Sequence, residues 1–247
     1  MLGSFAQPSR VAVIGSSGGI GGALVQCIAA AVPCAAILAL SRRGAEPTGV
    51  NAIPGVIDIE NETTIADAAT LAQDRLGQLD LVIVATGLLH DGNGMAPEKS
   101  WRVLDSASME RAFRINTVGP ALVAKHFLPL LATETKSMFA CLSARVGSIG
   151  DNRLGGWYAY RSSKAALNMT IKSLSIELAR RNPKAICVGL HPGTVDTGLS
   201  KPFQTNVPEG KLFTPDRAAS ALLSVINGLD EADSGRIFAW DGKQIPY

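Results

Sequence analysis

Tyr160 and Lys164 stand four residues apart in the stretch Gly155-Gly156-Trp157-Tyr158-Ala159-Tyr160-Arg161-Ser162-Ser163-Lys164. From Tyr160 onward, good helix formers mix with apolar residues at three- and four-residue steps, which predicts a helix over 160–181. On a helix this spacing puts both side chains on one face, a turn apart. An ammonium beside a phenol favours the phenolate and lowers its pKa, which suits a proton donor working near neutral pH. The chain has three tyrosines, so the pair alone is also what a solvated amphipathic face would present.

A second cluster lies near the N-terminus. Val11-Ala12-Val13-Ile14 is an apolar run, followed by Gly15-Ser16-Ser17-Gly18-Gly19-Ile20-Gly21-Gly22 and an apolar helix over 23–32. Glycines this dense weaken a helix interior, so they belong to a turn and the first helical positions. Between a first strand and a first helix, such a turn offers backbone N–H groups and a positive helix end to a pyrophosphate. The second strand ends in Leu40-Ser41-Arg42-Arg43, with no carboxylate to bind a ribose 2′-hydroxyl. A hydroxyl and a guanidinium at Ser41 and Arg42 suit a 2′-phosphate, which predicts NADP in preference to NAD. A further signal is Pro120. It has no N–H, so the carbonyl of Asn116, four residues back, loses its helical donor and is free to hold a water. An ordinary proline kink is the simpler reading of the same residue.

These residues need a scaffold, and the pattern supplies one. Strands are predicted over 11–14, 35–40, 56–58, 79–86, 137–142, 186–190 and 236–240. Helices are predicted over 23–32, 63–76, 107–131, 160–181 and from Thr214-Pro215 onward, where a hydroxyl cap precedes Pro at the first helical position. Strand and helix alternate without a linker or repeat. The expectation is an α/β, doubly wound Rossmann-type fold over residues 1–247, one domain, with a parallel sheet and helices on both faces.

Composition narrows the function. With 23 Lys and Arg against 21 Asp and Glu, the net charge is +2 and the cations are scattered, so neither nucleic acid nor an anionic membrane is an expected partner. The run 23–40 is interrupted by Gln26 and Pro33 and reads as a helix and a strand rather than a membrane span. Cys27, Cys34, Cys141 and Cys187 sit in apolar runs without CxxC or metal-ligand spacing. No metal and a reduced, cytoplasmic setting are expected, and the N-terminus shows no signal-peptide pattern.

Taken together and in order, Gly15-x-x-x-Gly19-x-Gly21, Tyr160-x-x-x-Lys164 and Pro192-Gly193 resemble the short-chain dehydrogenase/reductase family, over residues 11–240. The segment 143–168 is most similar to the branch of C-factor-type signalling proteins and sniffer-like carbonyl reductases. The resemblance implies that Gly15, Ser17, Gly19, Ile20 and Gly21 surround the pyrophosphate and nicotinamide ribose. It implies adenine contacts at Asp58 and Ile59, adenosine-side packing at Ala85, Thr86 and Gly87, and a carboxamide loop at Pro192, Thr194, Val195 and Thr197. Tyr160 would be the proton donor, Lys164 would bind the ribose and depress the tyrosine pKa, and Asn116 would belong to a proton relay.

Two departures stand out. The family's Asn-Asn-Ala-Gly is Val84-Ala85-Thr86-Gly87 here. The family serine three residues before a glycine falls, on Gly147, at Ala144. Ser143 is its neighbour and Ser148 lies beyond. Adjacent strand residues face opposite ways, so Ser143 replaces it only if the strand has ended or shifted. Ser143 is the expected site residue, and a site in which Tyr160 alone polarises the carbonyl is the alternative. The implied function is NADPH-dependent reduction of a ketone or aldehyde, on a small carbonyl or alcohol substrate. The other reading is an NADP-binding redox sensor or signalling protein with little catalysis. Residues 198–213 are expected either to fold over the site as a lid or to form an ordered surface loop. Leu88, Leu89, His90 and Trp157 are candidate pocket residues, and His90 alone is more often a surface histidine. By resemblance, the helices over 107–131 and 160–181 form the interface of a homodimer or homotetramer.

Overall fold

Eight apolar runs form one sheet in the computed structural model, which describes residues 2–32, 35–92 and 94–247. The expectations for Pro33 and Cys34 fall outside the described residues. The strands are β1 (Arg10–Ile14), β2 (Ala36–Ser41), β3 (Ile53–Val56), β4 (Leu81–Val84), β5 (Ser137–Leu142), β6 (Ala185–His191), β7 (Thr194–Val195), β8 (Leu212–Phe213), β9 (Ile237–Ala239) and β10 (Gln244–Ile245). The helices are α1 (Gly19–Ala31), α2 (Glu62–Leu76), α3 (Ser106–Phe113), α4 (Gly119–Phe127), α5 (Tyr158–Arg181) and α6 (Pro215–Gly228). The main sheet runs β10-β9-β6-β5-β4-β1-β2-β3. Every pairing in it is parallel except that of β10 with β9.

The sheet divides the core into two layers. Ala12, Ile14, Val82, Val84 and Phe139 pack with α2, α4 and α5. Their alternates Val11, Val13, Leu81, Ile83 and Met138 pack with α1 and α6. Because both faces are covered, the strands read as continuous apolar runs rather than alternating ones. The chain winds from β1 to β2 on one side and to β4 on the other, which opens a crevice at the C-terminal ends of β1 and β4.

Some boundaries differ from the sequence reading. β3 lies at Ile53–Val56 rather than 56–58, because pairing with β2 brings Val56 opposite Ser41 and leaves Asp58 beyond the strand. Pro54 is tolerated there since β3 is an edge strand. The helix expected over 107–131 is α3 and α4 joined by a π-helical turn, Arg114–Val118, and followed by the 3-10 turn Leu128–Leu130. The ladder shifts register directly before Pro120, as a proline in mid-helix requires. The purely parallel expectation missed β10, a two-residue strand that folds back beyond the turn at Gly242. The paired β7 and β8, a small separate sheet, were also too short to show a period.

Candidate active site

The turn after β1 is built from close backbone approach. Gly15 has φ 88° and its carbonyl accepts the Gly18 N–H at 3.0 Å. A Cβ on Gly21 would stand 2.1 Å from that carbonyl oxygen, so α1 can start against the turn only with glycine there. A Cβ on Gly19 would meet the Thr197 methyl at 2.7 Å, which ties the turn to the loop after β6. The first turn of α1 contains no acidic residue, leaving its positive end for an anion.

Beside this turn is a cavity of about 500 Å³ lined by Gly15, Ser17, Ser41, Arg42, Asp58, Ile59, Ala85, Thr86 and Gly87. All nine were expected on the adenosine and pyrophosphate side. The buried hydroxyls of Ser41 and Thr86 have no hydrogen-bond partner within the protein, as groups awaiting a polar ligand would be. Asp58 caps the Glu60 N–H at 3.1 Å. The sequence reading missed Glu60 and Arg111, which also line this cavity and pair with each other. Arg111 is recruited from α3, far away in sequence, and no local signal marked it.

A second cavity, of about 310 Å³, joins Gly19, Ile20, Gly87, Tyr160, Lys164, Pro192 and Thr197. Thr194 and Val195, also expected here, line the neighbouring apolar cavity instead, Val195 being buried in its wall. Gly21 lines none of these cavities; its part is the packing just described. Glycine turn, Tyr-Lys pair and loop after β6 therefore converge as expected. The unpartnered hydroxyls, the glycine-only backbone contacts and the acid-free helix start together fit a nicotinamide dinucleotide.

Lys164 is buried and its ammonium donates to the Leu142 carbonyl at 2.8 Å. Its Nζ stands 5.9 Å from the centre of the Tyr160 ring. Burial lowers the Lys164 pKa to about 8, against a smaller upward pull from Cys141. The expected fall in the Tyr160 pKa is not found: burial raises it to about 12. The cause is the removal of water from around the phenolate.

Asn116, in the π-helical turn, is fully buried. Its side chain accepts from the Leu88 N–H and donates to the Leu88 carbonyl, both at 2.8 Å, and donates to the Ser163 hydroxyl at 3.0 Å. Ser163 in turn donates to the Tyr160 carbonyl at 2.9 Å. Asn116 thus ties the loop after β4 to α5.

β5 ends at Leu142, so Ser143 is free of the alternation that argued against it. Both Ser143 and Ala144 line the cavity beside Tyr160. Ser143, however, gives its proton to Asn168 Oδ1 at 2.6 Å, and the neighbouring position carries only a methyl.

The third cavity, about 230 Å³, adjoins the second through Tyr160, Ser143 and Pro192. Ile20, Leu89, Val146, Trp157, Leu199, Phe203 and Val207 make it largely apolar. From the segment expected as a lid or an ordered surface loop, Leu199, Ser200, Phe203 and Val207 form a roof of this cavity; the segment holds a 3-10 helix, Lys201–Asn206, and β8, which pairs with β7. Leu89 and Trp157 line this cavity and Leu88 the first. His90 instead bonds the Gly198 carbonyl at 3.0 Å and packs edge-on against Phe203. His191, the last residue of β6, went unnoticed in the sequence and lies in the cavity wall. Burial lowers its pKa to about 4, helped by Arg145 and opposed by Asp241.

Among the described residues no group of three or more His, Cys, Asp and Glu is placed to hold a metal, and no helix is long and apolar enough to cross a membrane. Cys27, Cys141 and Cys187 are unpaired thiols.

Comparison with known proteins agrees with this geometry. The profile of the family described as short chain dehydrogenase matches residues 9–208. The C-signal protein of Myxococcus xanthus is 40% identical over 144 residues, which cover 58% of this chain and 81% of that protein. The 1-hydroxy-2-glutathionyl-2-methyl-3-butene dehydrogenase of Rhodococcus sp. (strain AD45) is 34% identical over 200 residues, 81% of each chain. Among solved structures, the NADPH-bound carbonyl reductase from chicken fatty liver superposes with a TM-score of 0.82 at 26% identity, covering 96% of this chain and 94% of its own.

Proposed function

The chain belongs to the short-chain dehydrogenase family and is an NAD(P)-dependent oxidoreductase, and from that premise we propose that it reduces ketones or aldehydes with NADPH, Tyr160 giving the proton. The observation that carries this reading is the position of Tyr160, which lines both the apolar cavity and the one shared with Lys164 and the loop after β6. A carbonyl in the first and a nicotinamide in the second would meet at its hydroxyl.

When bound, NADPH supplies the hydride that goes to the carbonyl carbon. The chain's own residues do the rest. Ser41 and Arg42 receive the 2′-phosphate, through the unpartnered hydroxyl and the cation beside it. The N–H groups of the Gly15–Gly21 turn and the start of α1 receive the pyrophosphate. Burial keeps the Tyr160 phenol protonated through neutral pH, the state from which it gives its proton to the carbonyl oxygen and so completes an alcohol. Lys164, held by the Leu142 carbonyl, stands ready for the ribose hydroxyls and for the phenolate charge that forms in this step. Asn116 holds the loop at Leu88 against α5. Leu89, Phe203 and Val207 exclude water. Ser143 positions α5 through Asn168, leaving Tyr160 to polarise the carbonyl.

NADP preference draws support from the chicken carbonyl reductase, which is described with NADPH bound. Met169 and Ile176, seven residues apart on α5, are exposed apolar side chains on one face. They favour a homo-oligomer through that helix.

In the test, NADPH consumption is followed over a panel of ketones and aldehydes. Tyr160→Phe is expected to lower turnover by about 100-fold or more while NADPH binding survives. Full activity in that variant refutes the role of Tyr160. The identity to C-signal favours a second reading, an NADP-binding signalling protein; tight NADPH binding with no turnover of any carbonyl or alcohol would select it.

A further inference from the structure

Trp157 stands apart from every other residue with a side chain that the structure describes. It is the one non-glycine with positive φ, at 52°, and it closes a run of three left-handed residues with Gly155 at 64° and Gly156 at 66°. A bulky side chain adopts this conformation only where its surroundings impose it, and such sites cluster at ligand contacts. Here the ring is placed between the proton donor and the roof. Its centre is 6.4 Å from that of Tyr160, at 69°, and 5.3 Å from that of Phe203, at 58°.

What imposes the conformation is Glu98, from the loop after β4. Its carbonyl accepts the Trp157 N–H at 2.6 Å and its Oε2 accepts the Ala159 N–H at 3.2 Å. The side chain therefore caps α5 while the main chain pins the residue before it. Glu98 is 6% exposed, and its Oε1 has no hydrogen-bond partner within the protein. A polar side chain buried this deeply with one oxygen idle is costly to keep, and the turn that sets Trp157 is what it holds.

We infer that Trp157 is the specificity-determining wall of the cavity, selecting carbonyl compounds that bear an aromatic ring, and that Glu98 is the positioning residue that sets it. This rests on the reductase reading above. At about 230 Å³ the cavity is below the ~300–1,000 Å³ common for ligand sites, which suits a single ring beside the carbonyl rather than a polycycle. Offset or edge-on contacts reward an aromatic ring over a saturated one of the same size.

The test compares kcat/KM for acetophenone and cyclohexyl methyl ketone, two substrates that differ in ring unsaturation. The wild type is expected to prefer acetophenone by roughly three- to tenfold. Trp157→Leu abolishes the preference and Glu98→Ala, which removes the cap but not the main-chain bond, weakens it, both with NADPH affinity unchanged, while Trp157→Phe and Glu98→Gln keep most of it. No preference in the wild type, or one that survives Trp157→Leu, overturns the assignment of the wall. A preference untouched in Glu98→Ala overturns the role of Glu98. Should neither ketone be reduced, the reductase reading is decided by the wider panel, and the wall is judged by binding alone. Saturable quenching of tryptophan emission by acetophenone, present in the wild type and lost in Trp157→Phe, supports it; quenching that does not saturate, or is equal in both, overturns it.

Discussion

His191 provides a test of the site that needs no substrate. Its half-buried ring lines the apolar cavity at the end of β6, and burial holds its pKa at about 4 rather than the usual 6.5. Arg145 adds to the fall and Asp241 opposes it. In the unfolded chain the imidazole takes a proton below about pH 6.5, and the folded protein refuses one until about pH 4. Between these values the unfolded state binds more protons. The stability contributed by the neutral ring is therefore complete above pH 6.5 and is lost as the pH falls toward 4. Each unit of difference is worth about 1.4 kcal/mol, so moving from about pH 7.5 to about pH 4.5 costs roughly 2–3 kcal/mol from this residue. The assay is urea unfolding at both pH values for the wild type and for His191→Gln, which keeps a polar side chain without the titration. Carboxylates titrate alike in both proteins, so the difference between their pH dependences isolates His191. A difference under about 0.5 kcal/mol, or an imidazole titrating near 6.5 in the folded protein by NMR, refutes the neutral ring.

Four further outcomes follow from the geometry. Gly21→Ala places a methyl 2.1 Å from the Gly15 carbonyl oxygen; backbone atoms cannot rotate away, so stability falls by about 1–3 kcal/mol and NADPH binding falls with it, measured by thermal unfolding and NADPH fluorescence. Arg42→Ala weakens NADPH by roughly ten- to a hundredfold, the worth of a charged hydrogen bond, and leaves NADH unchanged in a competitive binding assay. Ala144→Ser, which supplies a hydroxyl beside Tyr160, raises kcat on the best carbonyl substrate, whereas Ser143→Ala lowers stability more than kcat because its proton is spent on Asn168.

Much of this was legible in the residues. Strand–helix alternation and the dense glycines after β1 led to the doubly wound sheet and its crevice, because both follow from local rules of burial and backbone freedom. Tyr160 and Lys164 met as their four-residue spacing required. The direction of the Tyr160 pKa did not follow, since spacing reports who is near and not how much water is gone. Pro120 located the break between α3 and α4, yet the partners of Asn116 at Leu88 and Ser163 come from distant segments. Glu98 and His191 were invisible for a related reason. One sits in an irregular loop and the other at a strand end, where no period marks a side chain as facing inward.

The small β7–β8 sheet has a mechanical consequence. It pins Val195 to Phe213, so segment 196–211 is a loop closed at its base. Thr197 and Leu199 line both the cavity shared with Lys164 and the apolar one from this loop, and Phe203 and Val207 line the apolar one. The walls of the two cavities thus belong to one mechanical unit. A displacement of this loop at either cavity is therefore transmitted to the other, because both walls hang from the same two-strand clamp.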